Sequence, residues 1–163
     1  DPLFRYADAG RLHRNFQGYT TDQAEVLLGL GVSSIGTLPH GYAQNEKDLV
    51  AYAKALKAGR LPVARGIGLT QEDRLRRDII NSLMCRFFVD LRAQAVAHGR
   101  PGFDFSEALE RLVPLADDGL VTVEGSKARV TEEGRRAVRL IASCFDAYLG
   151  GAKGSGTRYS KAV

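Results

Sequence analysis

The residues of this chain best suited to redox or metal chemistry are its two cysteines, Cys85 and Cys144. They lie far apart, each within a hydrophobic pattern at helical spacing, and no C-x-x-C or H-E-x-x-H motif is present. Metal and iron–sulfur sites are built from several closely spaced cysteines or histidines. The sequence therefore predicts two buried free thiols, as is typical of a cytoplasmic protein, and shows no metal ligand set.

A glycine-rich apolar stretch, VLLGLGVSSIG at residues 26–36, is the second candidate. Its glycines miss the G-x-G-x-x-G spacing of a dinucleotide-binding loop. A helix is disfavoured, because each glycine costs about 1 kcal/mol relative to alanine. We therefore predict a strand buried on both faces, of the parallel type. Gly29, Gly31 and Gly36 would leave room for another backbone or a ligand to come close.

A basic cluster at residues 74–77 could bind an anion such as a carboxylate. It contains three arginines, and acidic residues lie close to it at Glu72, Asp73 and Asp78. Opposite charges three or four residues apart on a helix attract one another. Ion pairing within the helix is therefore the favoured interpretation, and anion binding is the alternative.

Hydrophobic periodicity predicts that helices position these residues. Helices are expected at 2–9, 46–58, about 90–98 and 104–118, with a long helix capped by Thr70 and a closing helix capped by Thr131. The long helix should bury a stripe of apolar residues, Leu75, Ile79, Leu83 and Phe87, widened by Ile80 and Met84. The buried face of 46–58 should be Leu49, Tyr52, Ala53 and Leu56, and that of the closing helix Val138, Ile141, Phe145 and Tyr148.

The helix at 104–118 carries several local signals. Asp104 and Glu107 have the spacing of a capping box, and Pro114 should kink or restart the helix because it lacks a backbone donor. Gly119 should end it. Two short strands, 120–124 and 128–130, follow as a hairpin joined at Gly125 and Ser126.

This order of helices, a two-stranded wing and a closing helix resembles a winged-helix domain, a common DNA-binding fold. The helix that would enter the major groove carries one arginine, Arg111, against five acidic residues, Asp104, Glu107, Glu110, Asp117 and Asp118. Such a helix repels phosphates, the contacts that supply most non-specific affinity for DNA. We therefore interpret the domain as a packing module, with nucleic-acid binding as the alternative that the charge disfavours.

Composition is consistent with a soluble globular protein. The chain is 44% hydrophobic and 26% charged, and no run approaches the roughly 20 apolar residues that a membrane span needs. A formal net charge of +4 is a weak indication of anionic partners. An ordinary arginine-rich surface explains the charge equally simply and is favoured. We expect a cytoplasmic protein without membrane association.

Several phrases of the sequence resemble the oxygen-independent coproporphyrinogen III oxidases, radical S-adenosylmethionine enzymes of haem biosynthesis. The phrases are RNFQGYTT at 14–21, LLGLGVSSI at 27–35, YAQNEKDL at 42–49, RGIGLTQEDRLRRDII at 65–80, DGLV at 118–121, VTEEGR at 130–135, FDAYL at 145–149 and the ending YSKAV. They cover nearly the whole chain in one order and match only the C-terminal part of the family. The chain is therefore interpreted as a fragment.

The resemblance implies an α+β fold, mostly helical. It would comprise a remnant of the last strand or strands of a partial TIM-type barrel and a winged-helix-like helical domain with a small β-hairpin. The domains are expected at 1–62 and 63–150, with a flexible tail at 151–163. A barrel strand without its neighbours exposes edges and apolar faces. We therefore expect residues 11–45 to be poorly ordered or to self-associate, which light scattering can test.

The resemblance also implies a site and a reaction. Ile35 is expected to contact S-adenosylmethionine at the barrel mouth. The parent protein would use a [4Fe–4S] cluster, whose C-x-x-x-C-x-x-C loop is absent here and is expected upstream of Asp1. It would convert two propionates of coproporphyrinogen III to vinyl groups, giving protoporphyrinogen IX. The fragment alone is expected to be inert.

Three alternatives stay open within this interpretation. His40 could donate a proton to a propionate, although an exposed loop histidine without a role is favoured. The parent could be a relative that transfers haem or makes another porphyrin, and the chain could be an interaction module with a regulatory role.

Overall fold

The computed structural model describes residues 1–149. Contacts group the chain into two compact units that divide between Leu75 and Arg76. We call residues 1–75 unit 1 and residues 76–149 unit 2. Within the described part of the chain, no helix is long and apolar enough to cross a membrane. The domain ranges 1–62 and 63–150 stay predictions, and the expected tail at 151–163 lies outside the described residues.

Unit 1 contains a short helix, a hairpin, a three-stranded sheet and a second helix. In chain order these are α1 (Pro2–Asp8), β1 (His13–Asn15), β2 (Gly18–Thr20), β3 (Ile35–Leu38), β4 (Gly41–Asn45), α2 (Leu49–Lys57) and β5 (Val63–Gly68). The hairpin pairs β1 with β2, and the sheet has the order β3-β4-β5, antiparallel throughout. The predicted helices at 2–9 and 46–58 are confirmed, with slightly different ends.

Unit 2 is built from helices and a second three-stranded sheet. Its elements are α3 (Gln71–Arg86), which begins in unit 1, β6 (Phe88–Asp90), α4 (Leu91–Ala97), α5 (Ser106–Asp117), β7 (Val121–Glu124), β8 (Lys127–Val130), a 3₁₀ turn (Glu133–Ala137) and α6 (Val138–Ser143). The sheet order is β6-β8-β7, again antiparallel. The predicted hairpin is confirmed as β7 and β8. The chain is a mixture of helix and sheet.

The start of α3 is fixed by two side chains that cap each other. Thr70 Oγ1 accepts a hydrogen bond from Asp73 N at 3.1 Å, and Asp73 Oδ2 accepts one from Thr70 N at 2.9 Å. These bonds satisfy donors that the first turn of a helix leaves free. Leu75, Ile79 and Leu83 are fully buried, which confirms most of the predicted stripe.

The reversal between α3 and α4 was not predicted. Phe87 adopts a positive φ of 56°, which ends α3 and turns the chain into β6 against β8. Asp90 then caps α4, its carboxylate accepting hydrogen bonds from Ala93 N at 3.1 Å and Ser126 Oγ at 3.0 Å. These two bonds hold the pKa of the Asp90 carboxyl below its usual range.

The structure corrects two expectations about α5, a restart at Pro114 and a capping box. The helix continues through Pro114 to Asp117, because Pro114 lies on the exposed side, where water can satisfy the carbonyl that loses its partner. The kink expected as the other outcome at Pro114 stays a prediction. Asp104 and Glu107 do not form a capping box. Asp104 Oδ1 accepts from Ser106 N at 2.9 Å, whereas Glu107 pairs with Arg111.

The closing segment confirms its predicted cap and corrects its predicted stripe. Thr131 Oγ1 accepts a hydrogen bond from Gly134 N at 3.0 Å. The buried residues are those predicted at the start of the stripe, Val138, Ile141 and Phe145. Tyr148 is 68% exposed, because α6 ends at Ser143 and the helical period is lost beyond it.

The strand predicted within residues 26–36 is also wrong for most of its length. Residues 26–34 form a loop with one isolated antiparallel bridge at Leu27, and the strand begins only at Ile35. Leu28 and Leu30 are 72% and 90% exposed instead of buried. The cause is the backbone conformation. Gly31 and Ser33 have φ angles of 99° and 57°, and an extended strand requires negative φ angles.

The apolar face predicted for α2 is wrong at both ends, because Leu49 and Leu56 are 68% and 50% exposed. Tyr52 and Ala53 are half-buried, and the buried residue of the helix is Ala55, which was not predicted. With Leu28 and Leu30 on the surface as well, unit 1 leaves large apolar side chains in contact with solvent. Unit 2, in contrast, has a core assembled from α3 to α6 and its sheet.

We expect Gly134→Ala to lower the free energy of unfolding by about 3 kcal/mol, because a Cβ there would overlap the carbonyl of Leu120, a rigid backbone group. At Gly102 an added Cβ meets nothing within 4 Å, so Gly102→Ala is the matched control and should change stability by less than about 0.5 kcal/mol. Urea unfolding followed by circular dichroism measures both. Equal midpoints for the two variants would contradict the packing described for Gly134.

Candidate functional site

We call residues 27–36 the glycine loop; they comprise a loop, residues 27–34, and the first two residues of β3. Its base is closed by Leu27 and Thr37, whose main chains exchange hydrogen bonds of 2.9 and 2.8 Å. Its second half lies beside the end of β4, where Asn45 N donates a hydrogen bond to Ser34 O at 2.9 Å. The glycine loop is therefore fixed to the sheet at both ends.

The side chain of Asn45 holds the centre of the glycine loop. It is 9% exposed, and its Nδ2 lies 3.0 Å from each of three acceptors, Gly29 O, Gly31 O and Ser34 Oγ. Buried carbonyl groups need donors, and a loop has no neighbouring strand to provide them. The amide of Asn45 thus replaces the hydrogen bonds that a sheet would supply.

Both main-chain groups of Gly31 are bonded by side chains. Gly31 N donates to the hydroxyl of Tyr52 at 3.0 Å, and Gly31 O accepts from Ser34 Oγ at 2.8 Å. Gly31 has a φ of 99°, which only glycine adopts without strain. Ser33 has a φ of 57°, a conformation that costs a non-glycine residue about 1 kcal/mol. The surrounding bonds must offset that strain.

Two further glycines allow close packing inside the loop. A Cβ at Gly29 would lie 2.9 Å from Ser34 Oγ, and one at Gly36 would lie 2.9 Å from Leu27 O. Real Cβ atoms do not approach other atoms so closely, and a backbone carbonyl cannot easily move aside. The expectation that these glycines allow another backbone to approach is confirmed, and that backbone is the loop itself.

Ile35 is half-buried at the start of β3, where its partner across the strand pair is Gln44. Gln44 in turn pairs with Arg65 on β5. Directly opposed residues of antiparallel strands project from the same face, so these three side chains form one row across the sheet. Tyr42 lies on that face in the next row, with the ring of Phe16 packed edge-on against it at a centroid distance of 5.1 Å.

His40 and the three arginines of the basic cluster at residues 74–77 do not share one partner. His40 is exposed in the turn between β3 and β4, and its Nδ1 lies 2.6 Å from Arg74 Nη1. Since a guanidinium only donates, the imidazole accepts at Nδ1. Arg76 donates to Phe145 O at 3.1 Å, and Arg77 pairs with the neighbouring aspartate at 3.3 Å. The three arginines of the cluster therefore do not converge on one anion site.

Both cysteines are buried free thiols, as predicted. Burial raises the pKa of the Cys144 thiol, which keeps it protonated and unreactive. Within residues 1–149, no group of three or more histidine, cysteine, aspartate or glutamate side chains could hold a metal ion.

Sequence reasoning missed the residues that shape this site, namely Asn45, Tyr52, Gln44 and Arg65. Asn45 and Gln44 belong to the phrase YAQN, which lies on β4 and ends that strand. An asparagine at the inward-facing end of a strand is a signal that could have indicated a buried amide. Its partners, however, are loop carbonyls that no local pattern identifies.

Comparison with known proteins shows what this chain is similar to. Residues 69–137 match the model of the HemN C-terminal domain. The chain is 50% identical over 138 residues to the oxygen-independent coproporphyrinogen III oxidase of Bradyrhizobium diazoefficiens, covering 85% of this chain and 31% of that protein. It is 46% identical over 143 residues to the Escherichia coli protein of the same name, covering 86% of this chain and 31% of that protein.

A solved structure has the same fold. The coproporphyrinogen III oxidase HemN from Escherichia coli, described as a radical SAM enzyme, superposes with a TM-score of 0.83 at 42% identity. The match covers 91% of this chain and 34% of that one, so the chain spans about a third of the length of these relatives. The chain is therefore similar to part of the oxygen-independent coproporphyrinogen III oxidases, and its residues 69–137 are similar to the HemN C-terminal domain.

Proposed function

We propose that this chain forms one wall of the barrel mouth and the closing domain of an oxygen-independent coproporphyrinogen III oxidase. The observation that carries the proposal is the glycine loop, whose family phrase LLGLGVSSI is held in shape by Asn45 and Tyr52. A loop fixed in this way presents Ile35 without needing a ligand to order it. Binding a preordered site costs less conformational entropy.

Ile35 is the residue that we propose contacts S-adenosylmethionine. A half-buried apolar side chain beside a loop of glycines suits an adenine ring, which needs a flat apolar wall and a close main chain. When bound, the cofactor would supply the radical chemistry for the oxidative decarboxylation of a propionate side chain, and Ile35 would hold its adenine ring. The described residues provide no ligands for a [4Fe–4S] cluster, so we assign no step at that cluster to them.

The apolar surface of unit 1 supports the same proposal. Leu28, Leu30 and Leu61 are 72%, 90% and 83% exposed. Side chains of this size are normally covered by protein. We infer that the parent enzyme covers them and that their exposure in its absence favours the predicted self-association of residues 11–45.

Unit 2 is proposed to be a winged-helix-like packing module. Its helix–strand–helix–helix–hairpin order supports that description. A nucleic-acid-binding role is not supported, because Arg111, the arginine of α5, pairs with Glu107 and donates to Asp146 O at 3.3 Å. It is therefore already engaged within unit 2.

A chimeric enzyme tests the proposed function. Replacing the matching C-terminal region of the Escherichia coli oxidase with residues 1–163 should give a protein that converts anaerobic coproporphyrinogen III to protoporphyrinogen IX, measured by chromatography of the oxidised porphyrins. The 163-residue chain alone, incubated with iron, sulfide and S-adenosylmethionine, should show no cofactor cleavage. A chimera that folds and holds its cluster but makes no product, or turnover by the chain alone, would refute the proposal.

Variants of Ile35 in the chimera test the cofactor contact. Ile35→Ala should weaken S-adenosylmethionine binding by about 2 kcal/mol, roughly 30-fold, because an isoleucine contact surface is lost. Ile35→Val removes one methylene and should cost only about 0.8 kcal/mol, roughly fourfold. Equilibrium dialysis with labelled cofactor gives both values, and identical affinities for the three proteins would remove Ile35 from the site.

Asn45→Ala should release the glycine loop, because Gly29 O and Gly31 O lose the hydrogen bonds from the amide, and an unsatisfied carbonyl costs about 1–3 kcal/mol. In the 163-residue chain we expect hydrogen exchange at Gly31 N and Ser33 N to accelerate at least tenfold. Asn15→Ala is the matched control, since Asn15 Oδ1 accepts only a local bond from Gln17 N at 2.8 Å in the hairpin. Unchanged exchange in Asn45→Ala would show that the loop holds its shape without this side chain.

A further inference from the structure

Arg65 on β5 is held by a side chain that is itself fixed. Its Nε donates to Gln44 Oε1 at 2.8 Å, and Gln44 Nε2 donates to Ser33 O at 3.1 Å. Both ends of the Gln44 amide are thus bonded, which defines its orientation. The guanidinium is positioned by a chain of hydrogen bonds that starts in the glycine loop.

The terminal nitrogens of Arg65 are available to a ligand. Gln44 is its side-chain partner within residues 1–149, and no carboxylate of those residues forms an ion pair with it. Arg65 is exposed on an edge strand of the sheet order β3-β4-β5. A guanidinium bonded at Nε still presents its two Nη groups as a fork that matches the two oxygens of a carboxylate.

The surroundings of Arg65 combine this charge with apolar surface. Ile35 lies in the same row, two strands away, at roughly 10 Å given the spacing between strands. Tyr42 and Ile67 pair in the adjacent row of the same face, and Ile67 is 54% exposed. A ligand whose anionic group binds Arg65 would therefore place its apolar part across this face.

We propose that Arg65, oriented by Gln44, binds a carboxylate group of a ligand whose apolar part covers the face of Ile35, Tyr42 and Ile67. The inference rests on the proposed function, which brings two molecules of this kind to the site. One is a tetrapyrrole with propionates, and the other is S-adenosylmethionine with its amino-acid carboxylate. The chemistry recognised is the same, and the experiment distinguishes the two sources.

The test uses the chimeric holoenzyme with Arg65→Gln and Arg65→Lys. Arg65→Gln should raise the KM for one of the two ligands roughly 10- to 100-fold, the range that a charge-assisted bidentate pair provides. The KM for the other ligand and the kcat should change less than threefold. Arg65→Lys should recover part of the loss, since an ammonium keeps the charge but not the fork. A rise confined to coproporphyrinogen III assigns a propionate, and a rise confined to S-adenosylmethionine assigns its carboxylate.

Arg60→Gln provides the matched control, because Arg60 is an exposed arginine of the same unit outside the sheet and its loss changes the net charge equally. Thermal unfolding of each variant checks that the fold is intact. If the parent chimera turns over but Arg65→Gln matches Arg60→Gln for both ligands, the inference is wrong and the proposed function stands. If the parent chimera itself makes no product, the proposed function fails and this inference fails with it.

Discussion

The geometry of unit 1 depends on one buried amide. The side chain of Asn45, at the end of β4, donates hydrogen bonds to the carbonyls of Gly29 and Gly31, which have no neighbouring strand to do so. Without that donor the part-buried carbonyl of Gly29 would lose the hydrogen bond from Asn45, and Gly31 O would keep only its bond from Ser34 Oγ. An unsatisfied carbonyl costs about 1–3 kcal/mol, a substantial part of the stability of a small domain. The strained φ of Ser33 and the position of Ile35 after it are both consequences of the loop that Asn45 makes possible.

The two units differ in what stabilises them. Unit 2 has a conventional apolar core in which Ile79, Leu83 and Phe145 are fully buried. In unit 1, polar bonds fix the glycine loop while Leu28 and Leu30 face solvent. A unit that orders its backbone by hydrogen bonds and leaves its apolar side chains uncovered is suited to be one face of a larger assembly. That agrees with a match to only about a third of its relatives' length.

Much of α3 and of unit 2 could be predicted because the signals are local. The cap at Thr70, the stripe at Leu75, Ile79 and Leu83, and the Gly125 turn depend on residues within a few positions of one another. The strand predicted in residues 26–36 was wrong because the same apolar, glycine-rich pattern fits a strand and a tightly folded loop. What decides between them is the amide of Asn45, whose contact with that loop no periodicity reveals. The role proposed for Ile35 came from family resemblance alone, and Arg65 could not be singled out before the register of the sheet was known.

Gln44 couples the glycine loop to Arg65, the two parts of the proposed site. Its amide links Ser33 in the glycine loop to Arg65 across the sheet, so neither can shift without disturbing a hydrogen bond of the other. A ligand that immobilises Ser33 or Arg65 would also restrict the other residue through Gln44. A second ligand that binds at that other residue would then lose less conformational entropy. Thermodynamic reciprocity then requires the effect to run equally in both directions. Gln44 would in this way couple binding at the glycine loop to binding of an anion at Arg65, with no change in the backbone of either partner strand.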